Sequence, residues 1–352
     1  MISIKFRRKD SVNVLYDKLF ACCKGKSVNA QRRERIRQNI DDWCRKNLNN
    51  RSFESIVKAD YEELVRIKNE YDKIGSNSVN LPKFPASYKK FILETLYRDK
   101  FPRQEFVEEL QVTVCPYCNR NFINSTYKRT MCDLEHFFDK ASYPVLAVSF
   151  YNLIPVCHPC NHVKASNRIS CSPHDLKLHT DDLLTFDYFI KGPDFLTDKE
   201  QIGIEIDCTF EFEDNVRVLK LNDVYQIHTD LVQECIKKSI VFNPDYLEDL
   251  CQTYDGLFES KEDLYRIVFG NYKEETEYGK RPLSKLWSDL IMSSILEYKG
   301  YHASIEYDAE DNIFVGEVIG ITDSLNFHGT SVDEVKEMFK QSIDNYLILC
   351  KK

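Results

Sequence analysis

Residues 114–122 read VCPYCNRNF, residues 131–140 read MCDLEHFFDK and residues 152–164 read NLIPVCHPCNHVK. This stretch decides how the rest of the chain is read. Its two Cys-x-x-Cys pairs, Cys115/Cys118 and Cys157/Cys160, offer four soft thiolates at the spacing of a closed tetrahedral zinc site. With all four ligands supplied by protein, no position stays open for water, so the expected zinc is structural. Asp133, Glu135, His136 and Asn161 form a harder donor group that suits an oxygen-preferring ion such as magnesium. One segment is therefore expected to carry a structural Zn2+, a catalytic Mg2+ or Mn2+, and a histidine able to act as a base.

Working outward, 352 residues allow two or three domains, and 43% hydrophobic with 30% charged residues excludes a mostly disordered chain. No run of about 18 apolar residues is present, which predicts no membrane span. MISIKFRRKD lacks the apolar core of a secretion signal. Thirteen cysteines, an odd number scattered mostly singly in a large chain, read as reduced thiols of a cytoplasmic protein. The net charge of −8 is uneven: residues 1–51 hold 14 Lys/Arg and five acids, leaving −17 for the remainder. That asymmetry fits a nucleic-acid-facing arm and equally a solvated helix face.

Periodicity divides the chain into a helical region with the basic arm (1–110), the cysteine-bearing core (111–185), a mostly helical region (186–294) and a terminal unit (295–352). A strand is expected at Ile2–Phe6, a helix capped by Asn29, and a single helix from Phe53 to Ile74. Residues 75–86 read as a loop, and a helix follows from Ser87 to Tyr97. After an irregular loop from Asn167 to Leu184, Ile202–Phe212 alternates as a half-buried strand. Asn222 is then expected to cap a helix with Val224, Ile227, Leu231 and Val232 on one face, and helices to continue to about Tyr298. The last fifty residues offer strands at Tyr301–Tyr307, Ile313–Ile319 and Ser324–Phe327, the first two joined by an Asp/Asn-containing turn. A Ser331/Glu334 capping box opens the final helix. The expected fold class is α+β: a mostly helical body, a core holding a four-cysteine zinc site, and a C-terminal β-β-β-α domain.

The DLEHF block, the N-L-I-P block and the final C-x-x-C-N-x-x-K block, nested within four cysteines, resemble the HNH endonucleases, the ββα-metal nucleases. Asn161 stands where the third histidine of the motif is usual, an H-N-N variant that favours magnesium or manganese. The resemblance implies that His136 is the general base, that Asn152 orients its imidazole, and that Glu135 and Asn161 hold the catalytic metal. Asp133 is a further ligand on the face of Glu135. Lys164 and Arg168, on the following helix, would contact phosphate. His158 and His162 are expected to be surface or supporting histidines. A zinc-stabilised nucleic-acid-binding or adaptor module that does not cut, and a toxin-like nuclease acting on RNA, are the other readings of the same residues.

CPYCNRNFIN, DLEHFFDKASYPVLAVSFYNLIPVCHPCN, LKLNDVY and FGNYKEETEYGKRPLSKL extend the likeness over roughly residues 85–290. Together they resemble the PtuB-like HNH component of Septu-type anti-phage systems, also found with retrons. That resemblance implies a DNA-cutting effector working with a PtuA-like ABC/SMC ATPase. No GxxxxGK[ST] loop occurs in this chain, so any ATP would be bound by the partner. The terminal unit resembles the N-terminal domain of HicB antitoxins, which implies self-association or a protein partner. The plainer alternative is an appendage that stabilises the body.

Overall fold

Capping side chains set the helix starts of the N-terminal half. Ser27 Oγ accepts from Ala30 N (3.2 Å), Ser52 Oγ from Ser55 N (3.0 Å) and Asp60 Oδ1 from Glu63 N (2.9 Å). The helices they open are Val28–Asn47, Phe53–Lys58 and Tyr61–Ser76. Asn29 is thus inside the first of these and not its cap. The single helix expected over Phe53–Ile74 is split at Ala59, because Asp60 supplies a fresh N-terminus. Ile40, Trp43, Leu48, Ile56, Val57, Leu64 and Ile67 from these helices and the turn between them are buried. The computed structural model describes the chain except residues 77–83, 124, 127–128, 192, 243, 255, 294, 300, 309–310, 312, 320, 322 and 350–352, and its fold is mixed α+β.

Most of the expected loop at 75–86 lies outside the described residues. Its ends are helical, Gly75 and Ser76 closing one helix and Ala86 opening the next, Ala86–Lys90. That helix runs on as a π-helical stretch, Phe91–Lys100, followed by Arg103–Leu110. Ile2–Phe6 is extended but is no strand of a sheet. It makes single backbone bonds to two different segments, Ile2 N to Pro116 O and Ile4 N to Pro173 O (both 2.8 Å).

The chain forms two compact units: residues 1–183 with 211–219, and residues 184–210 with 220–352. The excursion at 211–219 returns the helix Glu213–Leu219 to the first unit. There, fully buried Asn215 accepts from Ser170 N (3.1 Å) and Cys171 N (3.0 Å) and donates to Cys171 O (2.8 Å).

In the second unit, Leu184–Ile190 pairs antiparallel with Ile202–Cys208. The latter strand stops at Cys208, short of the expected Phe212, and Phe210 stands 85% exposed on a 3-10 turn. Asn222 lies within a short helix, Leu221–Tyr225, preceded by Lys220 in the left-handed region. The long helix starts only at Thr229, so Ile227 is exposed and not on its buried face. Lys285 and Asp289, on the helix Ser284–Ser293, form a buried pair at 2.7 Å, and Asp289 also accepts from Phe186 N (2.9 Å).

The C-terminal sheet has four strands where three were expected. Ile295–Tyr298, read as the end of a helix, is its edge strand. Tyr301–Asp308, Ile313–Ile319 and Asn326–Gly329 follow as an antiparallel meander, and Val332–Leu349 packs on it as a helix. The last strand starts at Asn326 and not at Ser324. The expected Asp/Asn turn falls largely outside the described residues. Leu296, Ala303, Val318, Phe327, Val335, Phe339 and Ile343 form the core of this domain. The cap is shifted by one residue from a simple capping box: Ser331 Oγ accepts from Glu334 N, while the Glu334 carboxylate accepts from Thr330 N (2.8 Å) and Oγ1.

Candidate metal centre and active site

Asp133–His136 pairs antiparallel with Leu153–Val156, in register from Asp133↔Val156 to His136↔Leu153. The helix His158–Lys164 follows directly, giving a strand–strand–helix unit. Leu153 to Val156 are all buried, as are Leu134, Glu135 and His136. A ribbon of two four-residue strands is too small to hold itself together, since isolated hairpins are marginal at best in water.

The thiols of Cys115, Cys118, Cys157 and Cys160 lie within 4.8 Å of one another and all four residues are buried. Cys115 closes a tight turn, with its carbonyl accepting from Asn119 N (2.8 Å) and Asn119 at φ +49°. Asn121 Nδ2 donates to Cys157 Sγ (3.4 Å) and Arg120 N to Cys118 Sγ (3.4 Å), bonds suited to thiolates that carry charge. Hydrogen bonding from the other three thiols pushes the Cys157 pKa down, while burial pushes that of Cys115 up. Four soft donors with N–H support and no water-facing position fit a tetrahedral metal such as zinc. Among the described residues this is the one group of three or more His, Cys, Asp and Glu ligand atoms so assembled. It ties the turn at Cys115–Cys118 to the N-terminus of the ribbon's helix.

The harder residues divide into two groups. His136 is buried, and its Nε2 lies 3.0 Å from Ala147 O. A carbonyl only accepts, so Nε2 carries the proton and Nδ1 the lone pair. Burial, reinforced by Lys140, pushes the imidazole pKa down to about 3, so His136 is neutral at pH 7. Tyr97, on the π-helical stretch, packs at 4.6 Å against this ring and donates to Leu134 O (2.8 Å). Asn152 does not touch the imidazole. Its amide donates to Leu146 O (3.0 Å) and Phe138 O (3.1 Å) and accepts from Phe138 N (2.7 Å). It thereby fixes the loop whose next carbonyl, Ala147 O, holds His136.

Glu135 is 3% exposed and has both oxygens engaged: Oε1 by Lys164 Nζ at 2.6 Å and Oε2 by the Tyr117 hydroxyl at 2.6 Å. Burial raises its pKa against the opposing pull of Lys164. Lys164, expected to reach for phosphate, is itself only 1% exposed and also donates to His136 O (3.1 Å). It turns inward because a buried carboxylate needs a counter-charge. No hydrogen bond joins Glu135 to Asn161 among the described residues. Asn161 Nδ2 donates instead to Asp133 Oδ2 (3.0 Å), which also receives His158 Nδ1 (2.8 Å). Arg168 donates to the Tyr143 hydroxyl (3.3 Å). Tyr97, Tyr117 and the Ala147 carbonyl were not legible as site groups. No spacing rule marks a tyrosine inside a Cys-x-x-Cys pair or a backbone oxygen.

For a hard cation, Asp133 Oδ1 and the Asn161 amide oxygen accept no hydrogen bond among the described residues, whereas both oxygens of Glu135 do. One carboxylate and one amide suit a magnesium ion that keeps most of its waters. Comparison with protein-family models, with curated proteins and with solved structures finds no match for this chain. No helix among the described residues is long and apolar enough to cross a membrane.

Proposed function

We propose that the chain is a metal-dependent phosphodiester hydrolase of the HNH type that cuts DNA, with His136 as its general base. The observation that carries this reading is the geometry of His136: Nε2–H is tied to Ala147 O, which leaves Nδ1 as the base atom. In the reaction, Nδ1 takes a proton from the attacking water. The Ala147 carbonyl then stabilises the imidazolium through Nε2–H. Asn152 acts as a positioning residue by holding that carbonyl's loop. Asp133 and Asn161 would hold a divalent metal, which when bound polarises the scissile phosphate and steadies the departing oxygen. Glu135, Lys164 and Tyr117 form the buried polar strut of the ribbon, and the cysteine cluster joins the Cys115–Cys118 turn to its end at Val156.

His136→Ala tests the reading. Supercoiled plasmid is incubated with wild type and variant in Mg2+ or Mn2+, with single-stranded DNA and tRNA in parallel. Wild type is expected to nick the plasmid, and the variant to lose about 100-fold or more in rate. Equal cutting by both would overturn the assignment, and cleavage of RNA alone would move the substrate to RNA.

The full engagement of Glu135 favours a second reading, a zinc-stabilised nucleic-acid-binding module without chemistry. Salt-sensitive DNA binding with no cleavage in any metal would select it. By the resemblance over residues 85–290, the proposal extends to an anti-phage effector working with an ABC/SMC-like ATPase. Co-purification with the neighbouring gene product tests that partnership.

A further inference from the structure

Beside the ribbon, a cleft of about 370 Å³ opens between the helix Tyr61–Ser76 and the segments that follow His136 and Lys164. The helix His158–Lys164 ends at Ala165, whose φ of +45° turns the chain so that residues 166–170 line the cleft. One side is aromatic: Tyr61 and Phe137 meet edge-on at 5.8 Å, and Phe138 and Tyr143 at 6.0 Å. The other side is polar. Lys68 is paired with Asp72 (2.7 Å), and Asp139 is satisfied by Ser142 N and Oγ. Arg168 differs. Its guanidinium donates to the Tyr143 hydroxyl, which donates onward to Asp72 (2.8 Å), and the Asp72 charge reaches Arg168 only at longer range. Among the described residues its other N–H donors make no hydrogen bond and are open to an anion. The Asn167 side-chain amide also has no partner among the described residues.

Aromatic rings, an uncommitted guanidinium and an open amide in a space of this volume match one ligand chemistry, a planar heterocycle carrying phosphate. The volume suits one nucleotide and not a stacked pair in a duplex. We infer that this cleft takes a single unpaired nucleotide, its base against the Tyr61–Phe138 wall and its phosphate on Arg168. The nucleotide would come from a strand lying on the ribbon, in which case the inference rests on the nuclease reading and deepens it to unpaired or flipped nucleic acid. The same chemistry would also hold a free mononucleotide.

The test is binding, measured on the full chain without added divalent metal. Calorimetry with the four deoxynucleoside 5′-monophosphates, the matching nucleosides and inorganic phosphate reports the cleft. Anisotropy of a labelled single strand of about 12 nucleotides and of its duplex reports the source. At least one monophosphate is expected to bind tenfold or more tightly than its nucleoside or phosphate alone. Arg168→Gln is expected to erase that advantage, and Phe138→Leu to weaken nucleoside and nucleotide alike, with unchanged thermal melting. A single strand binding tenfold above both monophosphate and duplex identifies a polynucleotide, and equal affinities identify a free nucleotide. The inference fails if no monophosphate saturates the protein, or if both variants bind as wild type does. Plasmid cleavage without nucleotide binding would remove this inference alone. Arg168-dependent binding without cleavage in any metal would remove the nuclease reading and keep the cleft.

Discussion

The two-stranded ribbon at Asp133–Val156 and the C-terminal four-stranded sheet solve the same problem by opposite means. The sheet buries one face under its own helix, with Val318 and Phe327 meeting Val335, Phe339 and Ile343. Even its Gly316 is explained by packing, because the Phe327 ring lies where a side chain would start. The ribbon has four-residue strands and is followed by a helix of only seven residues. It depends on a thiol cluster at one end and on the Glu135–Lys164–Tyr117 strut inside. Apolar burial keeps the sheet, whereas a buried ion pair and a thiol cluster suited to zinc support the ribbon.

Metal removal is the strongest test of this contrast. Cys157→Ser, or zinc extraction by a strong chelator, is expected to cost on the order of 10 kcal/mol of local stability, as structural zinc does in small domains. Hydrogen exchange should then show Leu134 and Ile154 amides unprotected and Val318 and Phe327 amides unchanged. Loss of protection in both regions would break the comparison. Next in size, Phe339→Ala should cost about 3–5 kcal/mol in the C-terminal sheet by denaturant melting, with bound zinc unaltered in a thiol-release assay.

Lys164→Ala leaves Glu135 buried without its counter-ion and should cost about 3–5 kcal/mol. Adding Glu135→Gln is expected to recover most of that loss. The parallel Lys285→Ala change, which strands Asp289, should destabilise without altering zinc content. The smallest effect concerns His174, buried against Leu153 O (3.0 Å), whose pKa burial pushes down to about 4. Its folded pKa lies below the unfolded value, so the stability it contributes is present above about pH 6.5 and is lost as pH falls toward 4. The expected slope from His174 is about 1 kcal/mol per pH unit, His136 adds to it in the same window, and His174→Gln should remove the His174 share alone.

The cysteine cluster was legible because its ligands come in pairs whose spacing fixes their geometry. The ribbon and its helix were legible for a related reason, since the motif order leaves little room for another path. Lys164 was misread because a lysine on a helix is ordinarily solvated, and only the fold places it opposite buried Glu135. The strand Leu184–Ile190 was missed although Leu184, Phe186, Tyr188 and Ile190 alternate with period two. An apolar Phe189 interrupts the pattern, packing over Gly203 of the partner strand. The split at Asp60 was readable from the Asp60-x-x-Glu63 spacing, which marks a helix start within an apparently continuous helix.

Asn215 has a consequence for how the molecule is made. It satisfies the backbone of Ser170 and Cys171 from a helix that the chain reaches only after passing through the second unit. A fragment ending at Leu183 would lack it, leaving the Ser170 amide and the buried Cys171 amide and carbonyl without this partner. During synthesis the half with the cysteine cluster therefore stays unfinished until residue 219 has emerged, by which time the first hairpin of the other half is already on hand. The two units are interleaved along the chain, and neither can be exchanged as a cassette by a single cut.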